Sequence, residues 1–373
     1  MNKGKSKKRL QFKHILSIIT LVLVGLIIYG AREDFAGAIG YLGDMNIWIL
    51  LLLIPMQVLM YFAAGKVYFT YLQAKKEGMK ISLWKLMRIS FEINFANQIL
   101  PSGGASGIAY IAWRLRSYGI TPGQTTMMQI FRYAAVSAAT VFQMLVALVV
   151  LGITGALSGW IFWISVAITS GLMVGVVVLL LIISRKKRVD WFVQIVSRFI
   201  NFVIGRLLFW KKERLVLIKP AKLDGFLTDL HKEYDDVRKN PRLLVRPFLW
   251  GTAYAFIDAM TFVVAFLALG IVPNVWAIIL AQGVASVVGT IAITPGGAGF
   301  YEVVMMTYFV AAGSTLEVGF VVTVVTRVIV LLGTILLGWG FYQQALMKAG
   351  KGRPGKALGG EEDGSKAQRS ATR

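Results

Sequence analysis

The chain has 373 residues, 57% of them hydrophobic, with a mean hydropathy of +0.67; soluble domains run at roughly 45–50% apolar, so it reads as a polytopic membrane protein. A net charge of +22 would point a soluble protein toward nucleic acid, but here Lys and Arg collect beside hydrophobic segments, where they set topology and meet anionic headgroups. Cysteine is absent and the two histidines, His14 and His231, have no partners at ligand spacing, so disulfides, thiolate-held metals and a metal centre of any kind are not expected.

Residues 1–14 form a basic arm carrying Lys3, Lys5, Lys7, Lys8, Arg9 and Lys13. The apolar segment 15–30 lacks a convincing small-residue cleavage site and reads as a retained signal-anchor helix. Further segments long enough to cross a bilayer, at about 20 residues per crossing, lie at 47–72, 124–152, 160–184, 247–270 and 318–343. Positive charge gathers at Lys75, Lys76, Lys80, Lys85 and Arg88, at Arg185-Lys186-Lys187-Arg188, and at Lys348, Lys351 and Arg353. The opposite connections hold Arg32, Glu33, Asp34 and Asp44, or no charge at 154–159. Both termini are therefore expected in the cytoplasm of a multi-pass cell-membrane protein. Within a domain over 15–347, the polar insert 185–246 is also cytoplasmic, with an amphipathic helix over 191–210 and a more soluble one over 223–239. The Gly-, Lys- and Ser-rich tail 348–373 is expected to be disordered.

Two apolar stretches, 89–117 and 276–313, are interrupted by helix breakers: Pro101-Ser102-Gly103-Gly104-Ala105-Ser106-Gly107 and Pro295-Gly296-Gly297-Ala298-Gly299. Non-helical backbone survives at membrane depth only when buried in protein or lining a watery cavity, because each unpaired N–H or C=O costs several kcal/mol there, roughly. Arg88 and Arg114/Arg116 belong on one side, so 89–100, a half-helix of about 18 Å, dips in and returns. The second stretch enters from the other face, although its first arm is long enough to span alone. The expected fold is all-α: a membrane helix bundle of six full spans plus two opposed re-entrant hairpins, related as an inverted repeat.

Helices that start after such loops offer free N–H groups and a positive dipole end, suited to an anionic group, although close packing by glycine is the structural alternative. Candidate substrate-binding residues are Asn97, Pro101, Gly103, Gly104, Gly107, Arg114, Arg132, Pro295, Gly296, Gly297, Gly299, Glu302 and Arg327. Glu92, Asn94 and Asp258 would add polar character to the cavity. Glu302 either caps its own first turn or handles protons or cations; Arg327, inside the last span, either pairs with Glu302 or binds a phosphate. Arg114 and Arg116 also suit an interfacial anchor, and Tyr110, Trp113 and Tyr118 suit an aromatic belt. No phosphate-binding G-x-x-x-x-G-K-[ST] loop, H-E-x-x-H pair, nucleophile elbow or kinase set occurs, so neither a cofactor nor ATP-driven pumping is expected.

The run from Asn97 to Gly107, with Arg114, Arg132 and the run from Pro295 to Glu302, resembles the transmembrane region of lysylphosphatidylglycerol synthases, also found as stand-alone flippase-like membrane proteins. The resemblance covers about residues 10–345, with Ser102 where many relatives have glycine. It implies movement of an anionic or aminoacylated phospholipid between leaflets. It argues against lysyl transfer by this chain alone, since the soluble transferase domain of the full-length synthases is not in this sequence. Rival expectations are a lysyltransferase-related enzyme or subunit, a small-solute channel, and a scaffold for a separate envelope-lipid enzyme.

Overall fold

The computed structural model describes residues 45–75, 82–99, 105–116, 119–157, 159–183, 239–291 and 299–351, with a few isolated positions besides. All regular structure among them is helical. The expected first span, most of the insert, the tail after Lys351 and both loop centres (Pro101, Gly103 and Gly104; Pro295, Gly296 and Gly297) lie outside the described residues, whereas 348–351, expected to be disordered, continue the last helix.

A short helix α1 (Ile47–Leu50) is capped by Asn46, whose Oδ1 accepts from Trp48 N at 3.0 Å. Pro55 has no N–H to return to Leu51, so the chain turns once before α2 (Leu53–Lys75). Then follow α3 (Leu83–Ile99), α4 (Ala105–Arg116) and α5 (Pro122–Thr154). Thr121 and Gln124 close a reciprocal capping box at the start of α5, with Pro122 at its first position. Next come α6 (Gly159–Ile183), α7 (Val245–Ala268), α8 (Val275–Ile291), α9 (Phe300–Ala311) and α10 (Leu316–Lys351). Asn274 caps α8 through Trp276 N and Ala277 N.

Five helical stretches are long and apolar enough to cross a membrane: Ile47–Thr70, Gln124–Thr154, Gly159–Leu179, Val245–Ala268 and Leu316–Met347. These correspond to five of the six spans expected. The remaining helices come as two pairs of matching size. In each pair a 17-residue helix (α3, α8) is followed by a 12-residue helix (α4, α9); α4 begins at Ala105, so Ala105, Ser106 and Gly107 of the first breaker run are helical, against expectation. At 1.5 Å per residue these are about 26 and 18 Å long, both short of a hydrocarbon core of about 30 Å. The first long arm starts six residues earlier than the expected 89–100, because residues 83–88 contain no breaker and Ser82 Oγ accepts from Lys85 N at 3.4 Å.

Contacts between helices follow the same duplication. Taking α2, α3, α4 and α5 as counterparts of α7, α8, α9 and α10, α2–α3 matches α7–α8, α3–α10 matches α8–α5, α4–α5 matches α9–α10 and α2–α10 matches α7–α5. The central α2–α7 pair is its own counterpart and runs antiparallel. Asn46 N donates to Ala268 O at 2.7 Å near one end, and Phe62 meets the Trp250 ring edge-on further along. Each long arm buries its own apolar cluster. Ile89, Ile93, Ile111 and Met128 pack around α3 and α4, while Ile278, Val284, Met305 and Phe309 pack around α8 and α9.

Glycines set the closest approaches. At Gly333 of α10 an added Cβ would lie 2.1 Å from Gln57 Oε1, and Gln57 Nε2 donates to Val330 O at 2.6 Å and Thr334 Oγ1 at 3.0 Å. Tyr61 adds a 2.5 Å contact to the same Thr334 hydroxyl, so α2 and α10 are joined by a polar seam. By contrast α6 is the least enclosed of the five, with far fewer of its residues buried than in the others.

Candidate functional site

In the first half, Glu92 sits on the buried face of α3 with 0% exposure and is held from three directions. Arg88 Nε, one turn earlier, donates to Oε1 at 3.0 Å; the Tyr110 hydroxyl donates to Oε2 at 2.8 Å, and Arg114 Nε at 3.1 Å. Arg88 also donates to Phe341 O at 3.3 Å and lies over the Phe341 ring at 5.2 Å. Nearer the turn, Asn97 Oδ1 accepts from Gly107 N at 2.8 Å, and an added Cβ at Gly107 would lie 2.3 Å from that oxygen. The contacts 92–114, 92–110 and 97–107 close toward the breaker run, so α3 and α4 form an antiparallel hairpin. Asn97 therefore satisfies one of the orphan N–H groups of α4. Asn94 is turned back on its own helix, donating to Ser90 O at 2.9 Å.

In the second half, Gly299 adopts φ +88°, a left-handed conformation that costs little only for glycine, and starts α9. Glu302 Oε2 accepts from Gly299 N at 2.7 Å, and its Oε1 accepts from Arg327 Nη1 of α10. Arg327 also lies over the Tyr301 ring at 4.5 Å. Glu302 thus both caps its turn and pairs with Arg327. Asp258 of α7 accepts from Gln282 Nε2 of α8 at 2.5 Å, and that amide also reaches Ser286 Oγ at 3.1 Å. Asp258 lies within electrostatic range of Arg327, Tyr301 and Tyr254.

Arg132 of α5 lies over the rings of Tyr68 at 4.6 Å and Tyr133 at 5.0 Å, and within electrostatic range of Tyr254. Tyr254 in turn is within range of Tyr61 and Asp258. Arg132 and Arg327, both inside spans, thus each rest on tyrosine rings, with Tyr254 within electrostatic range of the first and Asp258 of the second.

Of the residues singled out from sequence, Glu92 with Arg114, Asn97 with Gly107, and Glu302 with Gly299 and Arg327 are in direct contact. Arg132 and Asp258 are not in contact, but both lie within electrostatic range of Tyr254. Arg88 and Tyr110 were not among them. Arg88 counted as a topology-setting charge, although its spacing of four from Glu92 is the spacing of a helical ion pair. Tyr110 counted as an interfacial aromatic, whereas it is 8% exposed and bonded to a carboxylate; its neighbour Trp113 is exposed as an interfacial residue should be. Tyr68, Tyr254 and Tyr301, scattered over three helices, carry no local signature.

Long apolar helices packed around mutually bonded charges define a multi-pass membrane protein. The chain belongs to the family described as lysylphosphatidylglycerol synthase TM region, which it matches over residues 15–338. No curated protein matches the chain.

Proposed function

We propose that this protein carries a phosphate-bearing amphiphile, such as an anionic or aminoacylated phospholipid, between the leaflets of the cell membrane. In this reading six full spans surround two re-entrant hairpins that enter from opposite faces as an inverted repeat. The headgroup crosses through the interior of the bundle while the acyl chains stay in lipid. The observation that carries the reading is the pair of matched 17- and 12-residue helices. Each pair is joined by a Gly/Pro run, both sit on counterpart neighbours, and the central helices α2 and α7 run antiparallel.

Charge inside the spans supports the same reading, since an isolated ionised side chain there costs at least about 2.5–3.5 kcal/mol and persists where a polar path needs it. The Glu92 and Glu302 clusters hold each hairpin's short arm, and Arg132 and Asp258 both lie within electrostatic range of Tyr254. Uphill movement in this scheme draws on a gradient or a separate partner.

Reconstitution into liposomes with a fluorescent phospholipid in both leaflets tests the proposal. Dithionite should bleach nearly all of the label in proteoliposomes and about half in protein-free vesicles. Folded protein that leaves the bleached fraction at the protein-free level would remove the proposal.

A further inference from the structure

Arg132 and Arg327 occupy equivalent places in the duplicated arrangement. Each lies 27 residues after the first residue of its short arm, Ala105 to Arg132 and Phe300 to Arg327. Each is on the helix that follows the hairpin, and each is stacked on a tyrosine ring. They differ in their counter-charge. Arg327 is paired with Glu302, the third residue of α9. The third residue of α4 is Gly107, which carries no side chain, and its N–H is taken by Asn97. No carboxylate of a described residue forms an ion pair with Arg132.

Arg132 lies eight residues inside its 31-residue span, about 12 Å along the helix from the first residue. Lys66 likewise has no carboxylate partner among the described residues and lies four residues from the end of its span, where a lysine reaches the interface. A guanidinium that no described carboxylate offsets, together with nearby tyrosine hydroxyls, can donate to an anion. The guanidinium fork suits phosphate in particular.

We infer that Arg132, with the hydroxyls of its tyrosine neighbours, is the seat of a lipid phosphodiester, and that recognition runs through the phosphate and not through an attached amino group. This deepens the transport reading and rests on it for the lipid that brings the phosphate. The first half then holds the anion, and the second half, whose arginine is already neutralised, does not.

Binding to the purified full-length protein in detergent tests this by calorimetry. The probes are dihexanoylphosphatidylglycerol, dihexanoylphosphatidylethanolamine, dihexanoylglycerol and inorganic phosphate. The two phospholipids should bind within a few-fold of each other, and dihexanoylglycerol should not bind measurably. Arg132→Gln should weaken both phospholipids about tenfold or more, and Arg132→Lys by less. An affinity unchanged in Arg132→Gln overturns the inference. So does dihexanoylglycerol binding as well as the diesters, inorganic phosphate binding as tightly as the diesters, or a tenfold preference between the two headgroups.

Monodisperse elution checks the fold of the glutamine variant. Should that variant fail to fold, the lysine variant decides, since unchanged affinity there overturns the assignment. Binding is read without translocation, so the two ideas fail separately. Wild-type protein that binds but does not move lipid removes only the transport reading. Arg132→Gln protein that moves lipid at the wild-type rate removes only the Arg132 assignment.

Discussion

Glu92 shows how a single buried side chain can hold a hairpin together. It takes three hydrogen bonds, two of them from arginines on different helices, so removing its charge leaves two cations facing one neutral group. Breaking a buried ion pair from one side costs about 3–5 kcal/mol, because the remaining charge keeps its desolvation penalty. Glu92→Gln should therefore lower the thermal unfolding temperature in detergent markedly. Tyr110→Phe removes one hydrogen bond to the same carboxylate and should cost about 1–2 kcal/mol, with a correspondingly smaller shift. Similar shifts for both variants would mean that the arginines are not held by Glu92. At this scale the sequence was only partly legible. Glu302 with Arg327 was readable as a pair because both stand out in apolar surroundings. Arg88 with Glu92 was hidden by the basic run that precedes it, and the tyrosines around Arg132 were hidden because three-dimensional proximity across α2, α5 and α7 leaves no mark at one position.

Among the helices, the spans themselves were legible, since 20 or more apolar residues in succession admit few other structures. The extent of the first long arm was not. Its opening turn holds Lys85 and Arg88, which resemble a connection by composition, yet Arg88 is drawn inward by Glu92 and Phe341. Packing between elements was also unreadable, because a glycine in an apolar run does not reveal what presses on it. Gly338 and Gly340 of α10 make the point. An added Cβ at Gly338 would lie 2.6 Å from Phe95 Cβ and 3.0 Å from Phe91 O, whereas at Gly340 it would meet nothing within 4 Å. Gly338→Ala should thus push α3 and α10 apart at a cost of about 1–3 kcal/mol. Gly340→Ala, two residues away in the same helix, should be neutral or slightly stabilising by helix propensity. Thermal unfolding of the two variants side by side checks this, and equal behaviour would count against the α3–α10 contact.

For the molecule as a whole, the absence of cysteine makes the arrangement of the two halves directly testable. The antiparallel α2–α7 pair places Asn46 N 2.7 Å from Ala268 O. A double variant with Asn46→Cys and Ala268→Cys should form a disulfide on mild oxidation. With a protease site placed in the 185–239 insert, the halves should then stay together on a non-reducing gel after cleavage and separate on reduction. Fragments that part without reductant would refute the antiparallel arrangement. The duplicated hairpins were legible as two breaker runs, but their unequal charge was not, since Gly107 and Glu302 become counterparts only once the helix boundaries are known. The α2–α10 seam carries a last consequence. Gln57 fills the notch that Gly333 leaves open, and its amide and the Tyr61 hydroxyl grip the opposite backbone and Thr334, so neither helix can slide along the other without breaking several bonds at once. In the transport reading proposed above, rocking of the two halves would turn about this joint as a fulcrum.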